Sequence, residues 1–172
     1  MKKIGLIYSF NTNKTSQVAK KILEYFDAKE IEEINAEEIS EEKFKSFDNL
    51  ILGCPTWFDG ELPNYWDEFV PAIEEMDLKG KHIAIFGNGD QVGYPENFCD
   101  AVGLMAQILE KQGAAIVGFT STSGYTFESS LARRNNEFCG LALDFENQAK
   151  LNKKRITAWC DKLKTEFNQA KN

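Results

Sequence analysis

The segment Ile4–Thr15, IGLIYSFNTNKT, holds five apolar or small residues followed by a polar stretch rich in hydroxyls and amides. The run Ile4 to Tyr8 is continuous rather than alternating, as a strand buried on both faces requires. After the polar stretch, Val18, Ala19, Ile22, Leu23 and Phe26 fall on one face of a helix. A fully buried strand, a polar loop and an amphipathic helix form the first half of a βαβ unit.

The same alternation continues outward. Leu50–Leu52, Ile83–Phe86 and Ala115–Phe119 are further strand-length apolar runs. Trp66, Phe69, Val70 and Ile73 form one helical face, Ala101, Leu104, Met105, Ile108 and Leu109 a second, and Ile156, Trp159, Leu163 and Phe167 a last one. Strands alternating with helices predict a parallel α/β sheet with right-handed crossovers. The acidic run Glu30–Glu42, EIEEINAEEISEE, reads as the wet face of an edge strand and a helix start. Only Ser121–Gly140 is irregular, a polar and aromatic interval between a strand and the short run GLALD.

With 172 residues, 42% apolar and 27% charged, the chain (1–172) is expected to form one domain with a substantial core. A net charge of −7 argues against nucleic acid and anionic membranes as partners. The first apolar run is too short for a signal peptide, and a cytoplasmic location is expected. Cys54, Cys99, Cys139 and Cys160 show no metal-ligand spacing and, with His82 the single histidine, read as reduced packing residues.

Open parallel sheets bind ligands beyond the carboxyl ends of their strands, so the loops there are the candidate site. In Ser9–Thr15 the free amides and dipole of a helix start favour an anion, with Asn11, Thr12 and Thr15 as added donors. The same residues could equally be an N-cap cluster that needs no ligand. The loop after the Leu50–Leu52 strand, GCPTWFDG, sets Trp57 after Pro55 and Thr56, with Phe58 and Gly60 beside it, on a turn read as exposed. The loop after Ile83–Phe86, GNGDQVGYPENF, offers Gly89 and Gly93 for close backbone approach, Tyr94 as a second aromatic plane, and Asn88, Asp90 and Asn97 as polar groups. A phosphate cradle and two aromatic planes at one end of a sheet describe a site for flavin mononucleotide (FMN).

The segments GCPTW with GELPNYWDEF, FGNGDQVGYPENFCDA, and GYTFESS with GLALDFENQ resemble long-chain flavodoxins, and the likeness runs end to end. The resemblance implies a flavodoxin-like, doubly wound α/β fold: a five-stranded parallel sheet in the order 2-1-3-4-5 whose last strand is interrupted by the long-chain insertion around Ser121–Gly140. It also implies non-covalent FMN with Trp57 and Tyr94 flanking the ring, Phe98 within the third loop of the site, and Glu146 near the ribityl or phosphate region. Trp57-Phe58-Asp59-Gly60 becomes the turn that responds to the redox state of the flavin, with positive φ expected at Asp59. In the phosphate loop Thr12 and Thr15 match the family, whereas Phe10 replaces a hydroxyl residue and Asn13 a glycine. Asn tolerates a left-handed backbone, so Asn13 is expected to keep the turn. Phe10 cannot donate through its side chain, so FMN affinity is expected to suffer there, unless the loop is rebuilt with Asn11, Asn13 or Lys14 making the missing contact.

The implied function is a low-potential one-electron carrier, a monomer and not an enzyme, whose acidic surface meets basic faces of reductases and acceptor enzymes. An FMN-dependent quinone or nitro reductase is the alternative on the same sheet. A phosphoryl-accepting receiver domain would need carboxylates where Ser9 and Cys54 stand. A binding module that has lost its flavin would purify colourless.

Overall fold

The computed structural model describes residues 3–169. Its elements are β1 (Ile4–Tyr8), α1 (Lys14–Leu23), β2 (Ile31–Asn35), α2 (Glu41–Lys45), β3 (Asn49–Gly53), α3 (Asn64–Asp67), α4 (Val70–Ile73), β4 (His82–Asn88), α5 (Asp100–Lys111) and β5 (Ala115–Val117). Then come β6 (Thr120–Ser121), β7 (Arg133–Arg134), β8 (Glu137–Phe138), β9 (Leu141–Leu143), α6 (Phe145–Gln148) and α7 (Asn152–Gln169).

The main sheet runs β2-β1-β3-β4-β5, every pair parallel. Its last position is shared. β5 pairs with the first half of β4 (His82↔Ala115 to Ala84↔Val117), and β9 pairs with the second half (Phe86↔Leu141 to Asn88↔Leu143). Between them lies the insertion, a small antiparallel β6-β8-β7 sheet. The chain leaves the strand at Gly118, whose φ of 79° and contact with the Trp159 indole exclude a side chain. The fifth strand is therefore interrupted as the resemblance implies.

Period-two alternation divides the core. Ile7, Leu50, Leu52, Ile83 and Ile85 face Phe44, Trp66, Phe69, Ile73, Val102, Met105 and Leu109 on one side of the sheet. Ile4, Leu6, Ile51, Ala84 and Phe86 face Val18, Ile22, Ile156, Trp159, Leu163 and Phe167 on the other. All five residues of β1 and of β3 are buried, whereas β2, at the sheet edge, shows a mixed pattern. Each buried tryptophan also satisfies its indole N–H, Trp66 donating to the Gly53 carbonyl (2.8 Å) and Trp159 to the Gly118 carbonyl (2.7 Å). The helix expected over Trp66–Ile73 is two short turns. Pro71 lacks an N–H and its ring crowds the preceding turn, so helical bonding breaks between α3 and α4.

Candidate functional site: a cleft at the carboxyl ends of the central strands

The loop after β1 is tied down mainly by its own protein. Ser9 is buried and its hydroxyl donates to Glu37 (2.9 Å), Thr12 donates to the Ser9 carbonyl (2.7 Å), and the Phe10 amide donates to the Asn35 side chain (3.2 Å). The Asn11 side chain donates to Glu37 as well. Thr15, buried at the start of α1, donates to the Asn88 side chain at 3.4 Å and so joins this loop to the end of β4.

Asn13 stands at the N-cap without a side-chain capping bond; its amide oxygen accepts instead from Gln17. The first intrahelical bond runs from the Gln17 amide to the Asn13 carbonyl at 3.1 Å, so the amides ahead of it have no intrahelical acceptor. The N-cap cluster that the sequence left open is thus not formed by Asn13. Asn13 also has φ −94°, in the right-handed region, so the left-handed turn expected of it is absent. Lys14 reaches Glu146 in α6 and forms an ion pair, which places Glu146 beside this loop.

The loop after β3 is a closed turn. The Trp57 and Glu61 backbones exchange hydrogen bonds at 2.9 and 2.7 Å, and Gly60 sits at φ 98° against Asp100. Phe58, not Asp59, holds the positive φ, at 48°. The expectation for Asp59 is corrected accordingly: closure of the turn by the Trp57–Glu61 pair places the left-handed residue one position earlier. Trp57 is half-buried rather than exposed, its edge packed on Tyr65 (5.9 Å, 87°), while Phe58 is 75% exposed and perpendicular to it. Pro55 is buried, Asp59 is exposed, and the Thr56 hydroxyl accepts from the Ala101 amide (3.1 Å) at the start of α5.

The loop after β4 is organised by Asp90. One of its oxygens accepts from the Gly93 and Val92 amides (2.8 and 3.1 Å) and from the Asn147 side chain (2.8 Å). The Gly93 amide first, then Asn147, Val92 and the Lys14 charge hold its carboxyl below the usual range. Tyr94 is 55% exposed. Asn97 donates to Asp100, which also accepts from the Leu131 amide and so ties the insertion to α5.

Thr56, Trp57, Phe58, Gly89, Asp90, Tyr94 and Asn97 line one cleft of about 420 Å³. Phe98 lies behind it, wholly buried in an aromatic cluster with Tyr125, Phe127 and Phe138. The reading that grouped Phe98 with the site followed its loop; its side chain turns into the core. A larger cavity of about 660 Å³, lined by Val70, Glu74, Gln107 and Lys111 among others, flanks α4 and α5 away from the strand ends.

The sequence reading missed a supporting residue, Asp144, which is fully buried and accepts from the Gln91 amide (3.1 Å), the Gln91 side chain (2.7 Å) and Asn147. Its signal was an aspartate closing the apolar run GLAL, a helix-capping position. Among the described residues no group of three His, Cys, Asp or Glu side chains could hold a metal, and no helix is long and apolar enough to cross a membrane. All four cysteines are free and buried.

A doubly wound sheet in this order, with an aromatic cleft at its carboxyl edge, defines a class of α/β proteins that bind ligands between the strand-end loops. The family profile for flavodoxin matches residues 6–159. The chain is 42% identical over 168 residues to a flavodoxin of Nostoc sp., covering 96% of this chain and 98% of that protein. It is 44% identical over 169 residues to the flavodoxin of Trichodesmium erythraeum (97% and 99%). Among solved structures it is similar to Fusobacterium nucleatum flavodoxin bound to flavin mononucleotide, with TM-score 0.91, 36% identity and coverage of 96% and 99%. The chain belongs to the flavodoxin family.

Proposed function

We propose that the cleft and the start of α1 together hold FMN, which this protein uses to carry electrons between redox partners. As a flavodoxin the chain is an electron-transfer protein rather than an enzyme. The observation that carries the assignment is geometric: the Trp57/Phe58–Tyr94 cleft and the uncapped start of α1 lie at the same sheet end, coupled by the Thr15–Asn88 hydrogen bond. The residues present fit the group. A cleft of about 420 Å³ with aromatic walls suits a planar heterocycle, and amides without intrahelical acceptors suit a phosphate.

Bound FMN would supply the electron-accepting and electron-donating chemistry. Trp57 and Tyr94 would sandwich the ring and exclude water from its faces; Gly89 lines the cleft, but a side chain there would meet Phe98 and Cys99 within the protein, so its lack of one serves packing. The amides of Asn13, Lys14, Thr15 and Ser16, with the Thr12 and Thr15 hydroxyls beside them, would hold the phosphate; Phe10 offers no side-chain donor, and its N–H is held by Asn35. Exposed Asp59, Glu61 and Glu96, in the two loops that line the cleft, place negative charge near it, which opposes adding electrons there and attracts basic faces of partner proteins. A net charge of −7 keeps copies apart and supports a monomer, and four reduced, buried cysteines agree with a cytoplasmic location.

Stepwise reduction of the FMN-loaded protein, followed by absorbance, tests the assignment. Reversible reduction with negligible turnover of NAD(P)H and quinone in the absence of a reductase is expected. Sustained turnover by the protein alone would mean a quinone reductase instead.

A further inference from the structure

The charge of this protein is segregated around the cleft. Residues 150–164 carry Lys150, Lys153, Lys154, Arg155, Lys162 and Lys164 against Asp161 alone, in a chain with 20 basic and 27 acidic residues. Lys150, Lys153 and Lys154 are exposed and make no ion pair among the described residues. Arg155 is preorganised: its guanidinium lies 3.9 Å from the centre of the Tyr125 ring and one nitrogen donates to Gln148 (2.8 Å), with no carboxylate partner among the described residues. Stacking fixes the plane while leaving the other N–H donors free.

Two surface hollows join along this ridge at Ala158. One, of about 540 Å³, is lined by Lys150, Lys153, Lys154 and Thr157, with Asp161 its one carboxylate; the other, of about 360 Å³, by Arg155, Lys162, Ser121 and Ser123 among others. The ridge begins beside the cleft. Lys150 follows α6, where Asn147 bonds Asp90 at the cleft wall and Gln148 bonds Arg155. Leu151, 39% exposed, adds an apolar contact between the lysines. On the opposite wall, in the Trp57–Phe58 loop, stand exposed Asp59 and Glu61.

We infer that the Lys150–Arg155 ridge is a second docking surface, which receives a carboxylate-rich patch of a redox partner while the acidic flank meets that partner's basic patch. The inference rests on the electron-carrier reading for the nature of the partner. Two patches of opposite sign on either side of one cleft fix the rotation of a docked protein, which a uniformly acidic rim would leave free. A second copy of this chain is the poorer occupant. Its acidic edge on this ridge would make a head-to-tail contact that does not close, between molecules that each carry −7.

The test is an NMR titration of the ¹⁵N-labelled, FMN-loaded protein with poly-L-glutamate at low salt. Amide shifts are expected to concentrate between Lys150 and Ala158, and K150E/K153E/K154E should weaken the interaction about tenfold or more. K79E/K111E, which reverses exposed lysines in the turn before β4 and at the end of α5, should leave it unchanged. Flavin absorbance of the triple variant should also be unchanged, which separates failure of the ridge from failure of the flavin assignment. Absent shifts, or equal loss in both variants, would overturn the inference. So would equal competition by an oligonucleotide of matching charge, or concentration-dependent shifts at the ridge without titrant, which would reassign it to polyanions or to self-association.

Discussion

The two halves of the site are built on opposite terms. Around α1 the polar side chains are already engaged: Ser9 and Asn11 with Glu37, Thr12 with the Ser9 carbonyl, Thr15 with Asn88. In the cleft the aromatic faces are open, with Phe58 75% and Tyr94 55% exposed. Hydrogen bonds within the protein preorganise the first half, so an anion meets a set backbone with little ordering cost. The second half holds apolar surface in water, and burying it is the driving force a planar ligand would release. On the proposed assignment, shape and backbone would select the phosphate, while aromatic area would supply affinity for the ring.

The largest expected effect comes from removing that area. Trp57→Ala should weaken FMN binding by about 2 kcal/mol, roughly thirtyfold, measured by quenching of flavin fluorescence. Because Trp57 also packs on Tyr65, Trp57→Phe is the companion that keeps the packing and recovers part of the affinity. If Trp57→Ala binds FMN as tightly as the parent, the division between the halves is wrong.

The phosphate side is sharpened by Phe10→Thr, since a hydrogen bond to a charged group contributes about 1.5 kcal/mol or more and should tighten FMN about tenfold. The ring of Phe10 is 46% exposed and rests 5.1 Å from Tyr8, so its loss costs the core little. Unchanged affinity would show that the backbone alone holds the phosphate.

A smaller effect distinguishes positions within the turn. Phe58 pays for a left-handed backbone that glycine adopts freely, so Phe58→Gly should stabilise the protein toward thermal unfolding by about 1 kcal/mol. Asp59→Gly should give no such gain. Equal gains at both positions would mean that the turn is not set by the Trp57–Glu61 pair.

The smallest effect is pH-dependent and concerns Asp90, the residue that links the cleft to α6. Its folded pKa lies below the ordinary value of about 3.9, so its contribution is fully present above that value and is lost as pH falls through the folded pKa. Asp90→Asn should flatten the acid limb of the stability curve below about pH 4. An unchanged acid limb would show that the Gly93 and Asn147 hydrogen bonds do not favour the charged form.

The strands were legible because β1, β3 and β4 are buried on both faces and write that fact as continuous apolar runs. Pro71 announced its own break, but the periodicity of Trp66, Phe69 and Ile73 reads through it, since both short turns bury the same side. Site loops were legible by position, at strand ends; side-chain direction was not. Phe98 and Tyr94 share one loop, yet Phe98 turns inward to meet Tyr125, Phe127 and Phe138, residues brought there by the insertion. Asp144 and Asn147 support Gln91 and Asp90 across more than fifty residues of chain, a long-range pairing that no local pattern encodes. The positive φ at Phe58 is likewise set by the closure of the Trp57–Glu61 pair and not by the preference of the residue.

The central claim is that the Trp57–Tyr94 cleft receives the flavin ring while the start of α1 receives its phosphate. Titrating apoprotein in parallel with FMN and with riboflavin, in the parent and in Trp57→Ala, separates the two most directly. One FMN per chain, weaker but measurable riboflavin binding, and the same fold-loss for both ligands on Trp57→Ala are expected. If the substitution leaves riboflavin binding untouched, or if riboflavin binds as tightly as FMN, the ring and phosphate have been assigned to the wrong halves.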